Sequence, residues 1–151
     1  MPQSLAKLWT HVIFSTKDRF PFLSDKALRS DTHAYLATVL RSHECETLIV
    51  GGVEDHVHSL FDLSRNYSIS QIVKEIKRTS SAWIKDISSR HRKFHWQRGY
   101  GAFSVSQSNL DEVVSYIERQ EDHHKRLTFQ DEYREFLKKY EVDYDERYVW
   151  D

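Results

Sequence analysis

Residues 47–63 read TLIVGGVEDHVHSLFDL, and they contain two neighbouring stretches with the character of β-strands. Thr47–Val50 is a run of β-prone residues that stops at Gly51-Gly52, a pair typical of a turn or a bulge. After an acidic corner, residues 56–63 alternate with the period of two that a half-buried strand shows. The segment therefore predicts two consecutive strands.

Further elements are predicted on both sides of this segment. Strands are expected at Leu8–Ser15 and Ala102–Ser106. A helix capped at Ser24-Asp25 should run to about Ser42, and a second, capped by Ser68 or Ser70, has apolar residues at helical spacing as far as Ile87. The resulting order is strand, helix, strand, strand, helix, strand.

This order predicts an α+β fold of the ferredoxin-like (split βαβ) type, a four-stranded antiparallel sheet with helices on one face. Two C-terminal helices are added to it. One opens at Ser108-Asn109, where Asn109 and Glu112 have capping-box spacing, and the other runs from about Asp131 to Tyr140. Residues 1–151 are expected to form one domain, whose tail from about 141 to 151 docks on the body or on a dimer partner.

Charge is distributed unevenly along the chain, although the formal net charge is only -1. Basic residues dominate between positions 65 and 98, and acidic residues dominate after Asn109. Such segregation fits a local site for a polyanion, and it equally fits a soluble protein with segregated surface charge. The candidate phosphate contacts are Lys74, Lys77, Arg78, Lys85, Arg90, Arg92, Lys93 and Arg98.

Aromatic residues are interleaved with these bases at Phe94, Trp96 and Tyr100. They could stack on unpaired nucleic-acid bases, or pack at the sheet edge or at a dimer contact. The lone cysteine, Cys45, cannot form an internal disulfide, which favours a reduced, cytoplasmic location. No membrane partner is expected, because the apolar stretch near the start is too short to span a bilayer.

The pair His56 and His58 is the sharpest local motif. Residues two apart on a strand point to the same face, so the two imidazoles lie side by side and form half of a divalent-metal site. Two histidines at this spacing also occur often by chance. A third ligand must come from elsewhere in the chain.

The helix after Asn109 offers a candidate ligand and a candidate nucleophile. Tyr116 and Gln120 are four residues apart, hence neighbours on one helical face, and this face is displaced from the apolar stripe. The pattern also fits a half-buried tyrosine beside a surface glutamine. Tyrosine can act as a covalent nucleophile, and the Gln120 side-chain oxygen could reach a metal ion.

Taken together, these motifs resemble the single-tyrosine transposases of the IS200/IS605 type, within the HUH endonuclease class. The resemblance rests on Gly51-Gly52-Val53 before the histidine pair, and on residues 116–120 followed by His123-His124. It extends over nearly the whole chain, from the opening strand to residues 144–151. The sequence departs from the family pattern at Ser59, where an aliphatic residue is more usual.

The resemblance implies a function and a set of site residues. Tyr116 would attack a DNA phosphate and form a covalent 5′-phosphotyrosine, leaving a free 3′ hydroxyl for strand transfer. His56, His58 and Gln120 would hold Mg²⁺ or Mn²⁺. The substrate would be single-stranded DNA with hairpins, and the enzyme a homodimer in the prokaryotic cytoplasm whose active site can be shared between subunits.

Two other functions fit the same residues. One is a non-catalytic single-stranded nucleic-acid-binding domain on this fold, and the other is a metal-dependent phosphoesterase without a covalent intermediate. His123 or His124 could assist proton transfer, although such a pair is more often ordinary surface residues. His11 has no evident partner in the sequence.

Overall fold

The computed structural model describes residues 2–151 and confirms the predicted sheet. Its four strands are β1 (Trp9–Ser15), β2 (Thr47–Gly52), β3 (His56–Asp62) and β4 (Gly101–Ser104). All neighbours are antiparallel, and the order across the sheet is β2-β3-β1-β4. This is the ferredoxin-like arrangement that the sequence predicts, with strand ends shifted by one or two residues.

Helices α1 (Lys26–Ser42) and α2 (Ile69–Ile87) begin at the caps expected from the sequence. The Asp25 carboxylate accepts hydrogen bonds from the backbone N–H groups of Ala27 and Leu28. Ser68 and Gln71 form a reciprocal capping box, which selects Ser68 over Ser70 as the cap.

One face of the sheet packs on α1 and α2. Because successive strand residues point to opposite faces, Val57 lies in this core while His56 and His58 face the other way. The core also contains residues from β1, β3, α1 and α2, among them Val12, Phe14, Phe61, Leu36, Leu40, Ile72 and Ile76. The strand alternation thus separates the apolar core from the candidate site.

The C-terminal helices are α3 (Leu110–Glu118), α4 (Gln120–His123) and α5 (Phe129–Lys139). The predicted capping box of α3 is wrong. The Asn109 side chain makes no cap hydrogen bond, because the residue ends a 3-10 turn with φ −105° and ψ 3° instead of adopting the extended conformation of a cap. α5 begins two residues earlier than predicted, where the Thr128 side chain accepts a hydrogen bond from the Asp131 N–H.

The end of the chain packs on the body of the same molecule. The Trp150 ring contacts those of Phe129 and Tyr133 on α5. The carbonyl oxygen of Asp151 accepts hydrogen bonds from Gly99 N at 2.8 Å and Gln97 Nε2 at 3.3 Å. Within residues 2–151, none of the helices has the length and apolar character needed to cross a membrane.

Gly52 permits the tight connection between β2 and β3. It has a φ of 155°, and a Cβ atom there would overlap the backbone carbonyl oxygen of His56. Because the obstacle is backbone, relief requires opening the β2–β3 pairing. We expect Gly52→Ala to lower the free energy of unfolding by about 3 kcal/mol or more, measured by urea denaturation.

Gly99→Ala is the matched control for this prediction. A Cβ at Gly99 would meet the carbonyl oxygen of Asp151 at 3.2 Å, a contact that a shift of a few tenths of an ångström relieves. We expect its free energy of unfolding to fall much less. Equal effects of the two substitutions would contradict the account of Gly52.

Candidate active site

The two histidines of β3 are fully buried beneath the C-terminal helices. The ring centroids of His56 and His58 lie 5.2 Å apart. Both Nε2 atoms face the same carboxylate oxygen, Oε1 of Glu132 on α5, at 3.2 Å from His56 and 3.0 Å from His58. The pair therefore presents two nitrogen atoms to one point.

The opposite nitrogen of each ring is held by a neighbour. Nδ1 of His56 lies 2.7 Å from Oδ1 of Asp55, and Nδ1 of His58 lies 2.8 Å from Nε2 of His11. Contacts of this kind fix the orientation of histidines that bind metals in proteins. His11, which has no evident partner in the sequence, thus contacts the site from β1.

Gln120 reaches the histidine pair, although not by the predicted continuous helix. The helix breaks at Arg119, with φ −98° and ψ 24°, and Gln120 starts the short helix α4. Its Oε1 lies 3.0 Å from Nε2 of His56 and 3.1 Å from Nε2 of His124. Its Nε2 donates a hydrogen bond to Oε2 of Glu132 at 3.1 Å.

Tyr116 lies at the edge of the same cluster. Its hydroxyl donates a hydrogen bond to Oε2 of Glu132, and its ring centroid is 5.9 Å from that of His58. The ring of His123 stacks on it at 4.5 Å. Beside Tyr116 opens a cleft of about 240 Å³, also lined by Phe136 and by residues of α3 and α5.

Gly51 on β2 allows α3, the helix that carries Tyr116, to pack closely on the sheet. A Cβ atom at Gly51 would stand 2.9 Å from Cγ2 of Ile117, the residue after Tyr116. Ile117 itself is buried against Leu60 and Trp9. The glycine pair that ends β2 therefore leaves room for α3 against the sheet.

Burial and charge shift the pKa values of the cluster. Burial alone would lower the pKa of His56, but hydrogen bonds with Asp55 and Glu132 outweigh it and raise the pKa to about 9. Burial lowers the pKa of His58. Burial would raise the pKa of Glu132, yet the surrounding histidines hold it below its usual value. Burial and the nearby Glu132 carboxylate both raise the pKa of Tyr116.

The donor atoms fit a divalent metal ion. His56, His58, His124 and Glu132 each offer one ligand atom, and these four atoms lie within 4.8 Å of one another. The Gln120 oxygen points to the same place. Imidazole nitrogens together with carboxylate and amide oxygens can bind first-row divalent ions, and oxygen donors also suit Mg²⁺.

Glu132 was not identified from the sequence, and His124 was considered there only for proton transfer, not as a metal ligand. A pattern that could have revealed Glu132 is present: it lies three residues after Phe129 and four before Phe136, on the apolar side of α5. A carboxylate on an apolar face needs a partner. The sequence did not indicate that His124 could be a ligand, because its closeness to Gln120 depends on the turn after α4.

The candidate phosphate contacts line two adjoining surfaces that share His95. Four of them lie in a groove between α2 and residues 95–100 with the half-buried Tyr100, namely Lys74, Lys77, Arg78 and Arg98. Three lie in a second groove with the exposed Phe20, namely Arg90, Arg92 and Lys93. Lys85 lines neither groove.

Two of the interleaved aromatics are packed inside the protein. Phe94 and Trp96 belong to the core between the sheet and α2, and Nε1 of Trp96 donates a hydrogen bond to Oγ of Ser80 at 2.9 Å. This packing leaves neither ring a free face for an unpaired base. The structure therefore favours the packing alternative for both residues.

Lys77 differs from the other basic residues of its groove. Its Nζ donates hydrogen bonds to the carbonyl oxygens of Gln97, Arg98 and Gly99 at 2.8, 3.2 and 2.6 Å, which uses all three of its N–H groups. We expect Lys77→Ala to lower the free energy of unfolding by about 1–3 kcal/mol in urea denaturation, because three carbonyl oxygens, two of them partly buried, lose their donor.

The exposed Lys74, three residues earlier on the same helix, provides the control. Lys74→Ala should change the free energy of unfolding by less than about 0.5 kcal/mol. If Lys77→Ala instead leaves stability intact and weakens only DNA binding, the structural role of Lys77 is refuted.

Comparison with known proteins identifies the family. The fold resembles that of a candidate transposase from Deinococcus radiodurans R1, with a TM-score of 0.64, 22% identity, and coverage of 80% of this chain and 95% of that one. It also resembles a REP-associated tyrosine transposase solved with a REP hairpin, with a TM-score of 0.59, 14% identity, and coverage of 84% of this chain and 74% of that one.

No curated protein matches the sequence significantly. The family model described as "Transposase IS200 like" matches residues 4–120. The chain therefore belongs to the IS200-like transposase family.

Proposed function

We propose that this transposase cuts and rejoins single-stranded DNA through a covalent phosphotyrosine on Tyr116. One observation carries the proposal: the half-buried Tyr116 hydroxyl and the buried Gln120 amide meet the His56–His58 pair in a single hydrogen-bonded cluster. A hydroxyl nucleophile beside a metal-binding donor set is an arrangement suited to phosphoryl transfer.

The proposed reaction conserves the phosphodiester energy. The phenolic oxygen of Tyr116 gives up its proton and forms a bond to phosphorus while the bond from phosphorus to the 3′ oxygen breaks. The 3′ oxygen leaves as a hydroxyl after gaining a proton, and the 5′ side stays attached to Tyr116. A 3′ hydroxyl from another strand can then attack the phosphotyrosine and release the tyrosine, which joins the new ends.

His56, His58 and Gln120 are proposed to hold Mg²⁺ or Mn²⁺. Such an ion would polarise the phosphate and stabilise its developing charge. Asp55 and His11 orient the two imidazole rings from behind. Burial of the histidines excludes water, which favours strand transfer over hydrolysis of the phosphotyrosine.

The proposed substrate is a single-stranded DNA end that folds into a hairpin. One structural relative is described bound to a REP hairpin. The two basic grooves are proposed to contact phosphates, with binding that weakens as salt concentration rises. We further propose a homodimer acting in the prokaryotic cytoplasm, with each Tyr116 serving the histidines of its own chain.

The test uses labelled single-stranded DNA with imperfect palindromes taken from the flanks of the gene. The protein is incubated with it, with and without Mg²⁺ or Mn²⁺, and separated on a denaturing gel. A metal-dependent covalent band whose peptide maps to Tyr116 is expected. Cleavage without an adduct would favour the phosphoesterase, and binding without cleavage would favour the non-catalytic binding domain.

A further inference from the structure

We propose that Glu132 is a further ligand of the divalent metal ion, so that a carboxylate joins His56 and His58 in the metal site. This inference rests on the proposed metal-dependent function and names a ligand that the motifs do not. Glu132 lies on α5, beyond residues 4–120 that the family model matches. The family resemblance therefore does not supply it.

The Glu132 carboxylate lies among the imidazole nitrogens of the site. Oε1 of Glu132 lies 3.0 Å from Nε2 of His58 and 3.2 Å from Nε2 of His56. The same oxygen is 3.3 Å from Nε2 of His124. A single carboxylate oxygen thus stands among three imidazole nitrogens, close enough for all four atoms to share one small cation.

Each of the His56 and His58 rings has one nitrogen atom directed at Glu132. Nδ1 of His56 is engaged by Asp55, and Nδ1 of His58 by His11. The Nε2 atoms are therefore the ones left to bind a ligand, and both face Glu132. Two histidines and one carboxylate form a common site for divalent ions and leave positions open for substrate.

Glu132 is a buried carboxylate without a lysine or arginine partner among the described residues. Its side chain is 1% exposed, and within residues 2–151 its ion-pair contacts are three histidines, with no lysine or arginine among them. A buried carboxylate is costly unless a nearby cation supplies a compensating charge. A divalent ion held with the histidines would supply it.

Gln120 holds the carboxylate in place. Its Nε2 donates to Oε2 of Glu132, which leaves its own Oε1 directed at His56. Both oxygen donors therefore face the histidines at once. Because a carboxylate carries negative charge and an amide does not, Glu132 should contribute more than Gln120 to the affinity for Mg²⁺ or Mn²⁺.

The test measures Mn²⁺ binding to the full chain without DNA, by isothermal titration and by the loss of the free Mn²⁺ electron paramagnetic resonance signal. Glu132→Gln keeps the size of the side chain and removes its charge. We expect it to weaken Mn²⁺ binding by about tenfold to a hundredfold. Glu141→Gln makes the same change at an exposed position just beyond the same helix and should leave binding unchanged.

Equal or tighter Mn²⁺ binding by Glu132→Gln would overturn the proposal. Tighter binding would mean that the carboxylate competes with the ion, for example by occupying the position of a DNA phosphate. If Glu132→Gln fails to fold, the wild type labelled with ¹³Cδ-glutamate is titrated with Mg²⁺. A buried glutamate carboxyl resonance should shift as the ion binds, and the absence of any such shift at saturation would also overturn it.

The two proposals fail in distinguishable ways. If the wild type forms no DNA adduct but loses Mn²⁺ affinity through Glu132→Gln, the phosphotyrosine reaction is wrong and the ligand assignment stands. If Tyr116 forms the adduct while Glu132→Gln binds Mn²⁺ as the wild type does, the ligand assignment is wrong and the reaction stands.

Discussion

Tyr116→Phe is expected to abolish the protein–DNA adduct and to slow cleavage of single-stranded DNA by at least about 10⁴-fold, an effect typical of removing a covalent nucleophile. The substitution keeps the ring, which packs against His123 and near His58, and removes only the hydroxyl. Cleavage rates and adduct yield would be measured under single-turnover conditions with saturating Mn²⁺.

Tyr140→Phe is the matched control for the loss of a hydroxyl. Tyr140 lines the same cleft as Tyr116, and its hydroxyl donates a hydrogen bond to the carbonyl oxygen of Ser104 at 3.0 Å. It should retain wild-type adduct formation. Since Tyr116→Phe also loses the hydrogen bond to Glu132, its folding must be verified by urea denaturation. Persistent cleavage in a folded Tyr116→Phe protein would contradict the proposed nucleophile.

Much of the fold follows from local patterns in the sequence. The alternation in residues 56–63 determines that Val57 enters the core while His56 and His58 share the other face. The caps at Asp25 and Ser68 determine where α1 and α2 begin. Such features depend on neighbours only a few residues away, so a single sequence contains them.

The failures of prediction concern conformations that depend on tertiary packing. The sequence indicates one continuous helical face through Tyr116 and Gln120, but the chain breaks the helix at Arg119. The break allows Gln120 to turn its amide between His56 and Glu132. Asn109 likewise ends a 3-10 turn instead of capping α3.

The remaining site residues lie far apart along the chain and are brought together by tertiary contacts. Glu132 is 74 residues from His58, and His11 is 47 residues from it. His11 contacts His58 only because β1 and β3 pair in a register that sets Ile13 opposite His58 and Leu60 opposite His11. No local pattern specifies such a register, although the carboxylate on the apolar face of α5 indicates that Glu132 has a buried partner.

An equimolar mixture of Tyr116→Phe with the double variant His56→Ala, His58→Ala is expected to form no adduct above the level of either protein alone. The structure places Tyr116 against the histidines of its own chain, since its hydroxyl contacts the Glu132 carboxylate that His58 also contacts. In a mixed dimer built this way, each subunit lacks either the nucleophile or the histidine pair, so neither site is complete.

Sharing of the active site between subunits predicts a different result. If α3 of one subunit served the histidines of the other, random pairing of the two variants would restore about a quarter of the wild-type number of sites. The two proteins would be unfolded and refolded together to ensure subunit exchange, and the adduct yield compared with that of wild type mixed with Tyr116→Phe. Because α3 packs through Ile117 on Gly51 of its own sheet, exchange of the tyrosine would require detaching this contact. Recovery near a quarter would therefore show that the arrangement within one chain is not the catalytic one.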